Sequence, residues 1–225
     1  MDRVPEPELM LDPEQARAYA EADFEAPHGR FIELLRETFP DLEVSGPVLD
    51  LGCGPGDIAM RFARAYPGAR VDGVDGAPAM LAEGARLLAG SGLESRVRLV
   101  QASLPDDPPP RDRYRGVISN SLLHHLHDPA VLWDAVRRYT GPGGFVFVMD
   151  LMRPDSREVA EALVATYAAD EPALLQRDFL HSLLAAFRPD EVRDQLAHAG
   201  LAGLGVRPVS DRHLIISGFP GQAEA

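Results

Sequence analysis

Three glycines at alternate positions, Gly52, Gly54 and Gly56, close the segment 48–56, VLDLGCGPG, and an acid, Asp75, follows roughly 20 residues later. Without a Cβ, glycine lets a ligand come close to the backbone. In open α/β sheets, ligands lie beyond the carboxyl ends of the strands. An acid closing the second strand, VDGVD at 71–75, offers two oxygens that can accept from the vicinal hydroxyls of a ribose. Plainer roles exist for both features: a tight turn for the glycines and a helix cap for Asp75. A second group with chemical potential is His124, His125 and His127 in SLLHHLHD, 121–128. Histidine is a plausible base at neutral pH. A metal site is the weaker reading and none is expected, because the three lie within one short turn and no acid or thiol stands at a recognisable metal-ligand spacing from them. Their plainer role is packing and hydrogen bonding at a helix start.

The elements that must position these residues alternate. Strands are expected at 47–51, 69–74, 97–102, 114–119 and 145–150, separated by a glycine turn at 52–56 and helices at 57–66, 78–88 and 129–139. Residues 103–113 form a proline-rich loop, and GPGG at 141–144 reads as the turn before the strongest strand. Strand–helix alternation implies a parallel sheet covered on both faces. Two last strands, near 203–209 and 212–217, enclose Ser210 and Asp211 as an antiparallel hairpin. The fold expected is α/β: a Rossmann-like, doubly wound, mostly parallel sheet ending in that hairpin. Residues 1–225 form one domain in this reading.

Residues 1–11 read as an irregular leader holding Pro5 and Pro7. A helix follows over 12–25, with Asp12 as N-cap and Pro13 at its first position, then a second over 28–39, stopped by Pro40. Residues 1–45 thus precede the sheet and suit an N-terminal helical lid; Tyr19 and Phe24 are large for an exposed leader. Residues 155–187 read as an inserted helical segment over the sheet's active edge, and 189–199 as a further helix closed by Gly200.

LDLGCGPG, VDGVD and the following GAPAML, 76–81, resemble the first motifs of the class I S-adenosylmethionine-dependent methyltransferases, and 114–128 with LWDAVRRYTGPGGFVFVMD resembles the later ones. The resemblance covers 14–150 well and the terminal hairpin in outline. It implies S-adenosylmethionine as cofactor. Asp50, Gly52, Cys53, Gly54 and Gly56 would face its methionine portion and Asp75 its ribose, with Gly76 opening the cofactor-binding stretch that follows, and Met80 would face its adenine, unless Met80 is a core methionine. Tyr19 would cover it, unless it only packs its helix. Asn120 would meet the methionine amino group through its backbone. Many relatives carry Gly-Asp after the third strand to receive the adenine amino group. Here Ala102-Ser103 stands there, a shorter and uncharged acceptor. Asp57 takes the place of the third glycine of a dinucleotide fingerprint, where a carboxylate would repel a pyrophosphate and tolerate a sulfonium.

On the substrate side, His124 or His125 would be the base, needed only if the nucleophile arrives protonated. Arg153, Arg177 and Arg212, with His213, could meet substrate carboxylates or phosphates, or be ordinary surface residues. The function implied is methyl transfer to a small molecule by in-line displacement. A catalytically silent S-adenosylmethionine-binding scaffold, or another group transfer from the same cofactor such as aminopropyl transfer, stays open.

The chain has 225 residues, 45% hydrophobic and 25% charged, with a net charge of −13. That acidity disfavours nucleic acid as main partner. No apolar run is long enough to span a membrane, and the leader is acidic, unlike a secretory signal. Cys53 is the single cysteine, so no internal disulfide forms. A cytoplasmic location is the default expectation. The acceptor, its reacting atom and the oligomeric state remain open.

Overall fold

The computed structural model describes residues 1–7, 9–22 and 25–221. Its sheet consists of β1 (Gly46–Leu51), β2 (Ala69–Asp75), β3 (Val97–Gln101), β4 (Tyr114–Asn120), β5 (Thr140–Leu151), β6 (Gly205–Pro208) and β7 (His213–Gly218). Their order is β3-β2-β1-β4-β5-β7-β6. The first five strands run parallel; β7 pairs antiparallel with both β5 and β6. The chain starts at β1, winds outward to β3, then returns to lay β4 on the other side of β1. The resulting switch point lies between β1 and β4, where a crevice opens at the carboxyl ends.

Alternation along the strands builds the two faces. Val48, Ile118, Phe145, Phe147 and Ile215 point to one side, against α2 (Glu25–Thr38) and α3 (Asp57–Ala65). Leu49, Leu51, Val117, Val146 and Val148 point to the other, against α5 (Ala130–Tyr139) and α8 (Pro189–His198). Phe31, Phe62 and Trp133 are essentially fully buried, each contributing about 1.5–3 kcal/mol of burial free energy. Helix α4 (Pro78–Leu88) lies over β3.

The GPGG segment corrects the expected turn, because β5 already begins at Thr140. Tyr114 pairs with Thr140 but Gly116 with Phe145, so residues 141–144 bulge from a strand that continues through them. A Cβ on Gly116 would lie 2.2 Å from the Phe145 ring; the glycine makes room for that ring and anchors the shifted register.

Before the sheet, α1 (Pro13–Glu21) starts as expected, with the Asp12 side chain accepting from Glu14 N–H. It ends sooner than expected, and α2 begins at Glu25; Phe24 lies outside the described residues. Ala16 and Tyr19 pack on Ala77 and Met80 at the start of α4. The 155–187 segment resolves into α6 (Arg157–Tyr167) and α7 (Ala173–Ala185). The leader is an ordered strap, not loose chain. Val4 N–H donates to the Leu184 carbonyl, and Arg3 donates to the carbonyls of Ala185, His124 and Leu126 while lying over the Phe187 ring. Among the described residues, no helix is long and apolar enough to cross a membrane.

Candidate active site

The glycine loop leaves β1 at Leu51. Gly52 N–H and Cys53 N–H both donate to the Val74 carbonyl, at 2.9 and 3.0 Å, which ties the loop to the neighbouring strand. Gly52 sits at φ +66°, and a Cβ there would meet Leu122 at 2.7 Å. Gly54, at φ +52°, has nothing within 4 Å of where a Cβ would be. Its backbone is therefore bare toward a cleft of about 240 Å³. Gly56 completes the turn at φ +80° and leads into α3, but it does not line the cleft.

Three carboxylates surround this loop. Asp75 accepts from Gly54 N–H through one oxygen and from Ala77 N–H through the other, both at 2.8 Å. It is thus a brace for the loop and the α4 entry, and each oxygen keeps a second lone pair. Burial raises its pKa in spite of these two donors. Asp50 is 1% exposed, and its Oδ2 has no hydrogen-bond partner among the described residues. Burial, then the charges of Asp75 and Asp57, push it well above the usual carboxylate range. A buried, unpaired carboxylate oxygen in a ligand cleft suits an ammonium group. Asp57 is different. Burial opposes its charge, but His28 Nδ1 at 2.7 Å and Arg61 Nε at 2.6 Å hold its pKa below normal. With that charge offset, Asp57 no longer argues against a pyrophosphate as strongly as the bare sequence does; the missing third glycine still does.

Cys53, Gly76, Met80, Ala102 and Ser103 form the adjoining wall. Met80 packs on Ala16 and Ala77 and also lines the cleft. Ser103 Oγ lies 3.0 Å from where a Cβ on Gly76 would be. Asn120 and Ser121 form the opposite wall, with Asn120 Nδ2 donating to Ser121 Oγ at 3.2 Å. Ser121 holds φ +57° without being glycine, a strained geometry that concentrates at functional sites. Tyr19 closes the cleft from α1; burial, then Asp57 and Asp75, push its pKa up to about 12. At neutral pH its hydroxyl keeps its proton.

The histidines divide. His125 lines the cleft and His124 lies buried behind it. His124 Nδ1 meets Asp150 Oδ1 at 2.5 Å. Burial opposes charge on His124, but Asp150 and Glu6 outweigh it and raise its pKa. His125 is pushed down to about 3 by burial and by His124, and its buried Nδ1 has no hydrogen-bond partner among the described residues. His127 turns away and meets the Glu6 carbonyl through Nε2.

The three arginines are not brought to the cleft. Arg153 is buried, donating to the Ala186 carbonyl at 2.9 Å and to Glu191 at 2.5 Å. Arg177 pairs with Asp178 on the surface of α7. Arg212 stacks 3.3 Å over the Tyr167 ring and pairs with Asp211. Each cation is held by an acid or a ring of its own neighbourhood, away from the crevice.

Sequence reasoning missed the strap's part in the site. Leu9 and Met10 line the cleft, and Glu6 reaches His124 and His125. A faint signal exists: an acid between Pro5 and Pro7, followed by three large apolar residues, Leu9, Met10 and Leu11.

Residues 48–144 match a family model described as a methyltransferase domain. Over 160 residues the chain is 33% identical to the ubiquinone biosynthesis O-methyltransferase of Xylella fastidiosa (strain 9a5c), covering 68% of this chain and 60% of that protein. The chain thus spans about 60% of that relative's length. Over 223 residues it is 30% identical to the trans-aconitate 2-methyltransferase of Streptomyces coelicolor, covering 87% of this chain and 70% of the relative. A crystal structure of a SAM-dependent methyltransferase from Aquifex aeolicus shares the fold, with a TM-score of 0.69 at 16% identity, over 94% of this chain and all of that one.

Proposed function

The chain belongs to the class I S-adenosylmethionine-dependent methyltransferases, and on that footing we propose that it methylates a small-molecule acceptor in the cleft between β1 and β4. The observation that carries the reading is Asp75. It braces Gly54 at the end of β2 and keeps lone pairs for a ribose diol. Asp50, with its unpaired buried oxygen, holds the amino-acid ammonium. Met80 and Ser103 flank the base, with the serine hydroxyl as a short acceptor. Asn120 and Ser121 close the methionine end. Bound there, S-adenosylmethionine supplies an electrophilic methyl group for in-line displacement.

The protein's own part is orientation and exclusion of water. Tyr19, Leu9 and Met10 cover the cleft from outside. His125 faces the acceptor, backed by His124 and Asp150. The relatives' names support a small-molecule acceptor, and the Xylella fastidiosa name supports oxygen as the reacting atom. The test is calorimetric titration with S-adenosylmethionine, S-adenosylhomocysteine and NAD. A turnover assay follows, offering diphenols and polycarboxylic acids as acceptors and reading methylated product by mass. Preferred binding of NAD refutes the reading; cofactor binding with no methylated product across the panel favours the silent scaffold.

A further inference from the structure

We propose that Glu6, His124 and His125 form a divalent metal site at the acceptor side of the cleft. One oxygen, Glu6 Oε1, lies 3.5 Å from His124 Nε2 and 3.3 Å from His125 Nδ1. These separations are long for hydrogen bonds. They match the edge of a tetrahedron around zinc, about 3.4 Å for metal–ligand bonds of about 2.0–2.2 Å. The three donor atoms all lie within 4.8 Å of one another.

The ring nitrogens are disposed accordingly. His124 Nδ1 is engaged by Asp150 Oδ1, leaving Nε2 to face Glu6, where a metal displaces any proton that Nε2 carries. The buried His125 Nδ1 has no hydrogen-bond partner among the described residues and faces the same Glu6 oxygen. Glu6 Oε1 also accepts from Ser182 Oγ at 3.0 Å, which orients the carboxylate. Two imidazole nitrogens and a carboxylate oxygen therefore lie close enough to share one ion. A single proton in this group satisfies only one of the two nitrogen–oxygen contacts. A cation satisfies all three donors.

The surroundings fit a metal ligand set. The Asp150–His124 pair has the carboxylate–histidine arrangement that orients a ligating imidazole. Asp150 is itself held by Leu123 N–H and Leu151 N–H, both at 2.7 Å. Two nitrogens and one oxygen select a first-row transition ion such as zinc over magnesium or calcium. Because His125 lines the cleft, the fourth position opens toward the acceptor. That position takes an anionic oxygen, from an ionised enol, a phenol or a carboxylate. The acceptor assignment rests on the proposed methyl transfer; the metal site stands without it.

The test is titration of the full-length, untagged, chelator-treated protein with zinc, by competition against a chromophoric chelator, and with cobalt(II), by visible absorption. One equivalent of each is expected, with the intense cobalt absorption of four-coordinate geometry. Glu6→Gln and His125→Gln each weaken zinc at least about 10-fold, and Asp150→Asn, acting behind His124, weakens it about 10–100-fold. Near-UV circular dichroism identifies any variant that fails to fold, and the other variants then decide. No stoichiometric zinc or cobalt binding by the wild type overturns the site, as does unchanged affinity in folded Glu6→Gln and His125→Gln. S-adenosylhomocysteine binding to the metal-free protein is measured in parallel. Its loss with zinc retained refutes the methyltransferase reading alone; loss of zinc with cofactor retained refutes the metal site alone.

Discussion

Replacing Asp75 separates bracing from ligand recognition. Its two oxygens each accept one backbone N–H at 2.8 Å, from Gly54 and Ala77. In Asp75→Ala both N–H groups face the cleft and water can reach them, which limits the cost to the free protein to about 1–2 kcal/mol. The bound state loses more, because two ribose hydroxyls lose a charged acceptor where water is excluded. Hydrogen bonds to a charged group are worth about 1.5–3 kcal/mol, so the dissociation constant for S-adenosylhomocysteine rises about 10- to 150-fold. Asp75→Asn falls between, since its amide oxygen serves one N–H while its NH2 opposes the other. Ser103→Ala, which removes a neutral hydroxyl, costs about 0.5–1.5 kcal/mol. The assay is calorimetry on wild type and the three variants, with thermal midpoints measured without ligand. A lowered midpoint with an unchanged dissociation constant in Asp75→Ala makes Asp75 a brace and nothing more. A larger loss in Ser103→Ala than in Asp75→Ala moves the anchor from ribose to adenine.

Arg153→Met removes the donor to the buried Ala186 carbonyl and to the half-exposed Glu191 carboxylate, and chemical denaturation should show a loss of about 1–3 kcal/mol, the scale of leaving one buried polar group unsatisfied. Cofactor affinity should stay within about twofold; a selective loss of acceptor binding without loss of stability would restore Arg153 to the site. His213 is depressed to about 4 by burial and by Arg212. A base with a lowered folded pKa contributes stability above its unfolded pKa, which is lost as pH falls from about 6.5 toward 4. Over that window wild type should lose stability relative to His213→Gln by up to about 1.4 kcal/mol per pH unit; a flat difference in denaturation curves contradicts the burial argument. Hydrogen exchange in α1 should slow when S-adenosylhomocysteine binds, because Tyr19 lines the cleft. Identical exchange with and without ligand leaves α1 as packing rather than lid.

What the chain reveals by itself is local. The apolar run 48–51, its glycine turn and the helix after it form one continuous stretch, and short-range sterics dictate that geometry. Asp75 is legible for the same reason: it ends the next strand, and parallel pairing of β1 with β2 carries it to Gly54. Element ends were less legible. β5 runs back through a Gly-Pro-Gly-Gly segment because it must pair with β4, a demand absent from residues 141–144 themselves.

Charged side chains were least legible, since their partners come from distant parts of the chain. Asp57 looks like a bare carboxylate until α2 brings His28 beside it. Arg153 looks available for a substrate until α8 supplies Glu191. The one acid close to His124 and His125 in sequence, Asp128, is not their partner; Asp150 reaches His124 because β4 and β5 pair, and Glu6 reaches both because the strap lies between α7 and the turn after β4. Motif and strand pattern therefore determined the fold and the glycine-loop wall of the cleft from sequence alone. The histidine side of the cleft was decided only by tertiary packing, because a charge takes its partner and its protonation from whatever the closed chain brings within a few ångströms, and sequence separation does not encode that distance.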